Sequence, residues 1–348
     1  MLDLYEKTAA ADRFEEESGE SLTEWQTEKR VLLERLIGLD KLAAYSEGQK
    51  TDLSETYEEL LEDGIRRTHC LFKVDDHAVM PLYVLTPACE SRGTFLALAG
   101  HQGGGKYSVA GVKDIGIVAD RIAFFNYDYG YKLCRLGYTV ICPDPRGFGE
   151  RRDKAFQGDE DDKFILGSCR NVSNMAISLG LSVIGLLTYD CIRLIDHLEQ
   201  SGRFDISKLG CLGFSGGGMQ TLYLAALDER IRQAYISGYM YGFRDSLLIL
   251  NNNCSCNYVP GLWEHFDMGD IACMIAPRPL FIQSCSEDHL NGPGGMTNVY
   301  EQTDIIKKAY ELYGKEEHLV HDIRQGGHHF HDEPIAEITT RFDTILSM

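Results

Sequence analysis

The features that would direct a protein to nucleic acid, to a membrane or out of the cell are absent from this sequence. The 348 residues hold 34 Lys and Arg against 53 Asp and Glu, a net charge of −19, which argues against a nucleic-acid partner. No apolar run approaches the roughly 18 to 20 residues that cross a bilayer, so no membrane association is expected. The first twenty residues lack a basic segment followed by an apolar one. They do not resemble a secretory signal, and a cytoplasmic location is predicted.

A disulfide framework is also missing. The eleven cysteines are odd in number and scattered, several of them within apolar runs, a pattern typical of buried reduced thiols. With 44% hydrophobic and 25% charged residues, the chain has the composition of an ordinary globular protein.

Charge divides the chain into two predicted parts. Residues 1–65 hold 18 acidic and seven basic residues. Their pattern predicts a helical extension with one apolar stripe. This extension is a reasonable place for contacts between subunits. Residues 66–348 form the predicted catalytic domain. There, eight short apolar runs alternate with amphipathic segments, which predicts an α/β fold with a mostly parallel eight-stranded sheet flanked by helices. The expected strands are 70–74, 80–85, 94–99, 139–143, 209–214, 233–237, 280–284 and 319–323; the expected helices are 128–136, 176–200, 217–226, 299–313 and 335–347.

Two of these strands end in glycine clusters. The first, at residues 100–107, is almost a phosphate-binding loop, G-x-x-x-x-G-K-[ST], but Tyr107 stands where the Ser or Thr should be. A nucleotide binder is therefore a distant alternative, and Lys106 is expected to be a surface cation. The second cluster places Ser215 in G-x-S-x-G between a predicted strand and a predicted helix. This context is typical of a nucleophilic serine on a strained turn, with backbone N–H groups nearby to stabilise an oxyanion.

A serine nucleophile needs a base and an orienting acid, in the chain order Ser, acid, His. Asp288 follows the predicted strand 280–284 and is the preferred acid, with Glu287 as the alternative. His328 follows two glycines after the last predicted strand and is preferred over His329 and His331. A zinc site formed by these three histidines and Asp332 is the weaker interpretation, because no second cluster of matched spacing accompanies them and Cys254-Ser-Cys256 is not a C-x₂-C pair. No metal or cofactor is expected.

At this point the sequence resembles bacterial α/β-hydrolases close to acetyl xylan esterases, cephalosporin C deacetylases and dienelactone-hydrolase-like enzymes. The resemblance spans about residues 70–335. It is carried by the turn at 99–104, the segment 144–152, Tyr189-Asp190, the serine turn, residues 275–280 and Gly327-His328-x-Phe330. It implies Ser215 as nucleophile, Asp288 as acid and His328 as base. It also implies an oxyanion hole formed by the backbone N–H groups of Gly216 and His101.

The expected function is a serine esterase, with acetyl groups on a sugar or oligosaccharide as the expected substrate. Tyr258 and Trp263, in a segment where this fold often places a pocket wall, are candidates for stacking on that substrate. The same triad could cut amides, peptides or lactones, since a fold does not determine a substrate. A non-catalytic scaffold of the same fold is a further alternative.

Overall fold

A computed structural model describes residues 1–15, 21–156, 158 and 160–348, and within them one nine-stranded sheet organises the chain. The spatial order is β1-β2-β3-β5-β4-β6-β7-β8-β9. From β5 to β9 all neighbours are parallel, while β1, β2 and β3 add an antiparallel edge. The strands are β1 Asp52–Leu60, β2 Arg66–Lys73, β3 Val79–Thr86, β4 Thr94–Leu98, β5 Thr139–Pro143, β6 Gly210–Phe214, β7 Gln233–Ser237, β8 Leu280–Cys285 and β9 Leu319–Arg324.

Helices cover both faces of this sheet. Successive residues of β4 point to opposite sides, so that Leu96 and Leu98 join one hydrophobic core while Phe95 and Ala97 join the other. The first core packs against α2, α9, α10 and α13, and the second against α5, α6 and α14. The helices are α1 Leu2–Thr8, α2 Leu22–Ile37, α3 Leu39–Tyr45, α4 Lys106–Val109, α5 Gly116–Phe125, α6 Tyr129–Arg135, α7 Asp161–Ile165, α8 Cys169–Ser178, α9 Val183–Ser201, α10 Gly216–Leu227, α11 Leu262–His265, α12 Met268–Cys273, α13 Met296–Leu312 and α14 Ile335–Ile345.

The α/β prediction is confirmed and all eight expected strands are present, but the sheet has nine strands, and the extension contains a strand besides its helices α1, α2 and α3. The ninth strand, β1, lies inside the extension, where its sequence DLSETYEEL is charged and almost entirely exposed. It is an edge strand that pairs only with β2, so backbone hydrogen bonding rather than apolar burial defines it. Residues 16–20 of the extension lie outside the described residues. The division into two domains stays a prediction.

The expected helix at 176–200 is two helices. Gly180 adopts φ +66°, and Ser182 starts α9 as an N-cap whose side chain accepts a hydrogen bond from Gly185 N at 3.0 Å. A left-handed glycine is typical of the end of a helix, here α8, and a capping serine is typical of the start of one, here α9. The helix α5 was not predicted from the sequence.

No single helix among the described residues has the length and apolar composition to cross a membrane. The segments Lys163–Ser178 and Val183–Ser201 reach that length and composition only when they are taken together, and they are bent by 94° relative to each other.

Candidate active site

Ser215 occupies the sharp turn between β6 and α10. Its φ of 57° and ψ of −121° are unfavourable for a residue with a side chain, so the turn is strained. Close backbone packing maintains this conformation. A Cβ on Gly213 would lie 2.1 Å from Gly217 O, and one on Gly217 would lie 2.0 Å from Leu98 O. The serine is thereby exposed at the carboxyl end of the parallel strands, partly open to a cavity.

An imidazole and a carboxylate lie beside this turn. His328 Nδ1 is 2.6 Å from Asp288 Oδ2, and the His328 ring packs on Phe214 with a centroid separation of 4.5 Å. Asp288 is buried, and its other oxygen accepts a hydrogen bond from Leu290 N at 2.9 Å. With Nδ1 donating to the carboxylate, Nε2 is the nitrogen left to accept a proton.

The competing residues lie elsewhere. Glu287 is exposed, and its carboxylate accepts a hydrogen bond from Gln325 at 2.8 Å. His329 Nδ1 is 3.0 Å from Phe124 O, and His331 Nδ1 is 3.7 Å from a carboxylate oxygen of Glu333. Asp332 accepts a hydrogen bond from Asn126 at 2.8 Å. Within the described part of the chain, none of these residues belongs to a metal-type cluster.

Ser215, Gly216 and His328 line one cavity of about 800 Å³. Tyr239 and Tyr241 also line it, and burial raises the pKa of both phenols well above the ordinary tyrosine value. They are therefore neutral hydroxyls over the physiological range, able to donate hydrogen bonds.

The structure brings only one of the two candidate stacking residues to this cavity. Tyr258 lines it, with its hydroxyl donating to Leu247 O at 3.1 Å. Trp263 lies in a separate groove, packed between Tyr5 and Phe243 with both ring centroids 6.0 Å away. This placement does not support substrate stacking by Trp263, because the ring serves the packing of α1 on the domain.

The turn after β4 packs against the serine turn. A Cβ on Gly100 would lie 2.7 Å from Phe214 O and 3.2 Å from Gly216 N, so the two backbones touch. Tyr127 Oη donates to His101 O at 2.6 Å, which restrains the backbone on the carbonyl side of His101. The turn that contains His101 thus lies against the backbone of Gly216.

Lys106, in the same glycine-rich turn, is not the surface cation that was expected. It is fully buried, and Nζ lies 2.7 Å from Asp144 Oδ2 and also contacts Glu150. Burial lowers the pKa of Lys106, but the Asp144 carboxylate, with Tyr107 and Glu150, more than reverses this and raises it above the ordinary value. Its ammonium is committed to an internal ion pair, which argues against a phosphate-binding loop.

A group of sulfur and nitrogen atoms along the same cavity was not predicted from the sequence. The group consists of His101, Cys169, Cys254 and Cys256. Each residue contributes one possible ligand atom, a ring nitrogen or a sulfur, and these four atoms all lie within 4.8 Å of one another. We call this group the thiol–imidazole cluster. The only local signal was the Cys254-Ser-Cys256 spacing, since His101 is 68 residues from Cys169 and 155 from Cys256. All eleven cysteines are free, as predicted.

Comparison with known proteins places this geometry in context. No model of a known protein family matches the chain. Over 240 residues, 68% of this chain and 74% of the relative, it is 26% identical to the Bacillus subtilis (strain 168) protein named "Putative hydrolase YtaP".

Solved structures of esterases share the fold. A structure titled as a "putative acetyl xylan esterase" from Bacteroides fragilis NCTC 9343 superposes with a TM-score of 0.74 at 17% identity, covering 93% of this chain and 80% of that one. The glucuronoyl esterase from Solibacter usitatus superposes with a TM-score of 0.66 at 16% identity, covering 97% of both chains. The chain therefore has the α/β-hydrolase-type fold of these esterases, and the resemblance found in the sequence is confirmed at the level of the fold.

Proposed function

We propose that the protein is a serine hydrolase of carboxylic esters that acts through Ser215, His328 and Asp288, with acetylated carbohydrate as its substrate. The observation that carries this proposal is the strained Ser215 turn, which opens into the same cavity as an imidazole held at 2.6 Å by a buried carboxylate. The similarity to YtaP, named a hydrolase, and to esterase structures supports the same class of reaction.

In the proposed reaction, His328 Nε2 takes the proton from Ser215 Oγ as the oxygen attacks the ester carbonyl carbon. The N–H groups of Gly216 and His101 stabilise the oxyanion. Collapse of this intermediate breaks the bond to the alcohol, which leaves with the proton from the imidazolium. Water then gives a proton to His328 as it attacks the acyl-enzyme, and His328 returns that proton to Ser215 Oγ as the bond from Oγ to the acyl carbon breaks and the acid is released. No metal or cofactor takes part in these steps.

The polarity of the cavity supports a hydroxyl-rich alcohol. Besides its tyrosines, it is lined by Asn251, Asn252 and Asn257. Amide and phenol groups can both donate and accept hydrogen bonds, as recognition of a sugar requires.

The test is acetate release from acetylated xylo-oligosaccharides, with p-nitrophenyl acetate as a generic ester. Wild type is compared with Ser215→Ala and with Ser207→Ala, a control at an exposed turn serine. We expect acetate from wild type and Ser207→Ala only. Turnover of the generic ester alone would support the triad but indicate that the natural substrate is another ester, a lactone or an amide. Full activity in Ser215→Ala would overturn the mechanism, and failure of a fluorophosphonate to label wild type would favour a non-catalytic scaffold.

A further inference from the structure

The thiol–imidazole cluster has the composition and spacing of a metal site. His101 Nε2 lies 3.7 Å from Cys169 Sγ and 3.4 Å from Cys256 Sγ. A tetrahedral zinc ion with bonds of about 2.3 Å to sulfur and about 2.0 Å to nitrogen separates its ligand atoms by roughly 3.5 to 3.8 Å. We propose that the thiol–imidazole cluster binds one zinc ion through three thiolates and a neutral imidazole.

Three thiolates and one imidazole favour zinc over the alkaline-earth ions, because soft sulfur ligands select zinc and related metals while calcium and magnesium prefer oxygen. Four protein ligands leave no open coordination position for a water or a substrate. The proposed site is therefore structural, in contrast to the three-ligand sites in which zinc activates water.

Groups around the cluster fit this role. Asn257 Nδ2 lies 3.6 Å from Cys256 Sγ and 3.1 Å from Cys254 O, and Asn257 Oδ1 accepts a hydrogen bond from Tyr239 at 2.7 Å. A donor aimed at a ligand sulfur stabilises the thiolate, and outer partners of this kind orient metal ligands. Cys169 and Cys256 are almost fully buried, each 1% exposed, which favours a closed site over a surface one.

The cluster joins three segments that are far apart in sequence. His101 belongs to the turn after β4, Cys169 begins α8, and Cys254 and Cys256 lie in the loop before α11. All three segments line the cavity that contains Ser215. A zinc ion would hold these walls together and, if the proposed function is correct, would fix the His101 peptide whose N–H serves the oxyanion. His101 is thus a positioning residue through its side chain.

The test measures the metal on the intact protein, independently of activity. Full-length protein purified under reducing conditions is analysed for zinc by mass spectrometry, then stripped with a chelator and titrated with Co²⁺. We expect about one zinc per chain, together with the intense visible bands and the sulfur-to-metal charge-transfer bands of tetrahedral thiolate-bound cobalt. Wild type without stoichiometric zinc and without the cobalt spectrum would overturn the proposal. So would a disulfide between two of Cys169, Cys254 and Cys256, located by peptide mapping of protein purified without reductant, if added zinc did not prevent its formation.

A matched pair of variants locates the site. Cys254→Ala is expected to lower zinc affinity by at least about a hundredfold, since losing a ligand costs more than losing an outer partner. Cys273→Ala, at a buried thiol in α12 outside the cluster, is expected to keep wild-type affinity. Equal affinity in the two variants would contradict the assignment. If Cys254→Ala fails to fold, the cobalt spectrum of wild type still decides. Zinc binding by a protein that lacks esterase activity would leave this inference intact and remove only the proposed function.

Discussion

The turn after β4 and the turn after β6 are built alike, yet only the second carries the proposed nucleophile, Ser215. Both end a buried parallel strand in a glycine cluster and both lead into a helix. They also lie side by side, because Leu98 of β4 is the register partner of Gly213 in β6. In both, glycine is needed because neighbouring backbone atoms leave no room for a Cβ.

The difference lies in what surrounds the polar residue of each turn. Ser215 is partly exposed to a cavity that also contains His328. Lys106 is fully buried against Asp144, whose oxygens also accept hydrogen bonds from Lys106 N at 2.8 Å and Glu150 N at 3.0 Å. A glycine cluster thus indicates close backbone packing. Whether the polar residue of the turn can take part in a reaction or only stabilises the fold depends on the residues that surround it.

The largest expected effect comes from removing His328, the proposed base for Ser215 in the second turn. His328→Ala should lower kcat/KM for p-nitrophenyl acetate by about 10⁴ to 10⁶-fold, because Ser215 would keep its strained turn but lose its proton acceptor. His329→Ala, one residue along with its ring nitrogen on the Phe124 carbonyl, should keep activity within about threefold. Similar rates in the two variants would show that the wrong histidine has been assigned.

The orienting acid should come next. Asp288→Asn is expected to reduce kcat by about 10⁴-fold, because an amide at this position favours the imidazole tautomer that cannot accept the serine proton. Glu287→Gln changes an exposed carboxylate bound to Gln325 and should stay within about threefold of wild type. The check is steady-state kinetics with both variants at equal folded concentration. A larger loss in Glu287→Gln would reverse the assignment of the acid.

Substitution of Lys106, in the turn after β4, should change the stability of the protein instead of its activity. Lys106→Met should reduce the free energy of unfolding by about 3 to 5 kcal/mol, because it leaves the buried Asp144 carboxylate without its cation. Lys307→Met, which breaks an exposed ion pair with Asp304, should cost less than about 0.5 kcal/mol. Urea denaturation measures both values. Wild-type stability in Lys106→Met would show that the ion pair with Asp144 does not stabilise the fold. Tight binding of Mg²⁺-ATP by wild type would return the first turn to the role of a phosphate-binding loop.

The sequence predicted those parts of the molecule whose signals are local. Eight strands could be recognised because each is a short apolar run between turn residues. Ser215 was selected as a candidate because its glycines, strand and helix are contiguous, and Asp288 and His328 because each follows a predicted strand in the chain order Ser, acid, His. The strand β1 was missed because its pairing with β2, not its own composition, makes it a strand.

The remaining features depend on contacts between distant segments. Lys106 looked like a surface cation because its partner Asp144 lies 38 residues away, directly after the neighbouring strand β5. The thiol–imidazole cluster combines three segments, and only the Cys254-Ser-Cys256 pair is visible in the sequence. Spacing rules for zinc sites detect ligands on one hairpin or helix and fail when the fold itself assembles the set.

The smallest expected effect tests the contact between the two turns. Gly217→Ala would place a Cβ 2.0 Å from Leu98 O, which also accepts the Tyr129 hydroxyl at 2.5 Å. Because this carbonyl ends β4, α10 must move away from the strand, which should cost about 1 to 3 kcal/mol in unfolding free energy.

The matched control is Gly116→Ala, in the first turn of α5, where nothing lies within 4 Å of the added Cβ. There the substitution should be neutral or stabilise by up to about 1 kcal/mol. Gly217→Ala should in addition lower kcat for p-nitrophenyl acetate, since moving α10 displaces Gly216 N relative to the His101 peptide, whereas Gly116→Ala should not. If both variants keep wild-type stability and kcat, the two turns are not mechanically coupled, and the oxyanion hole cannot depend on their contact.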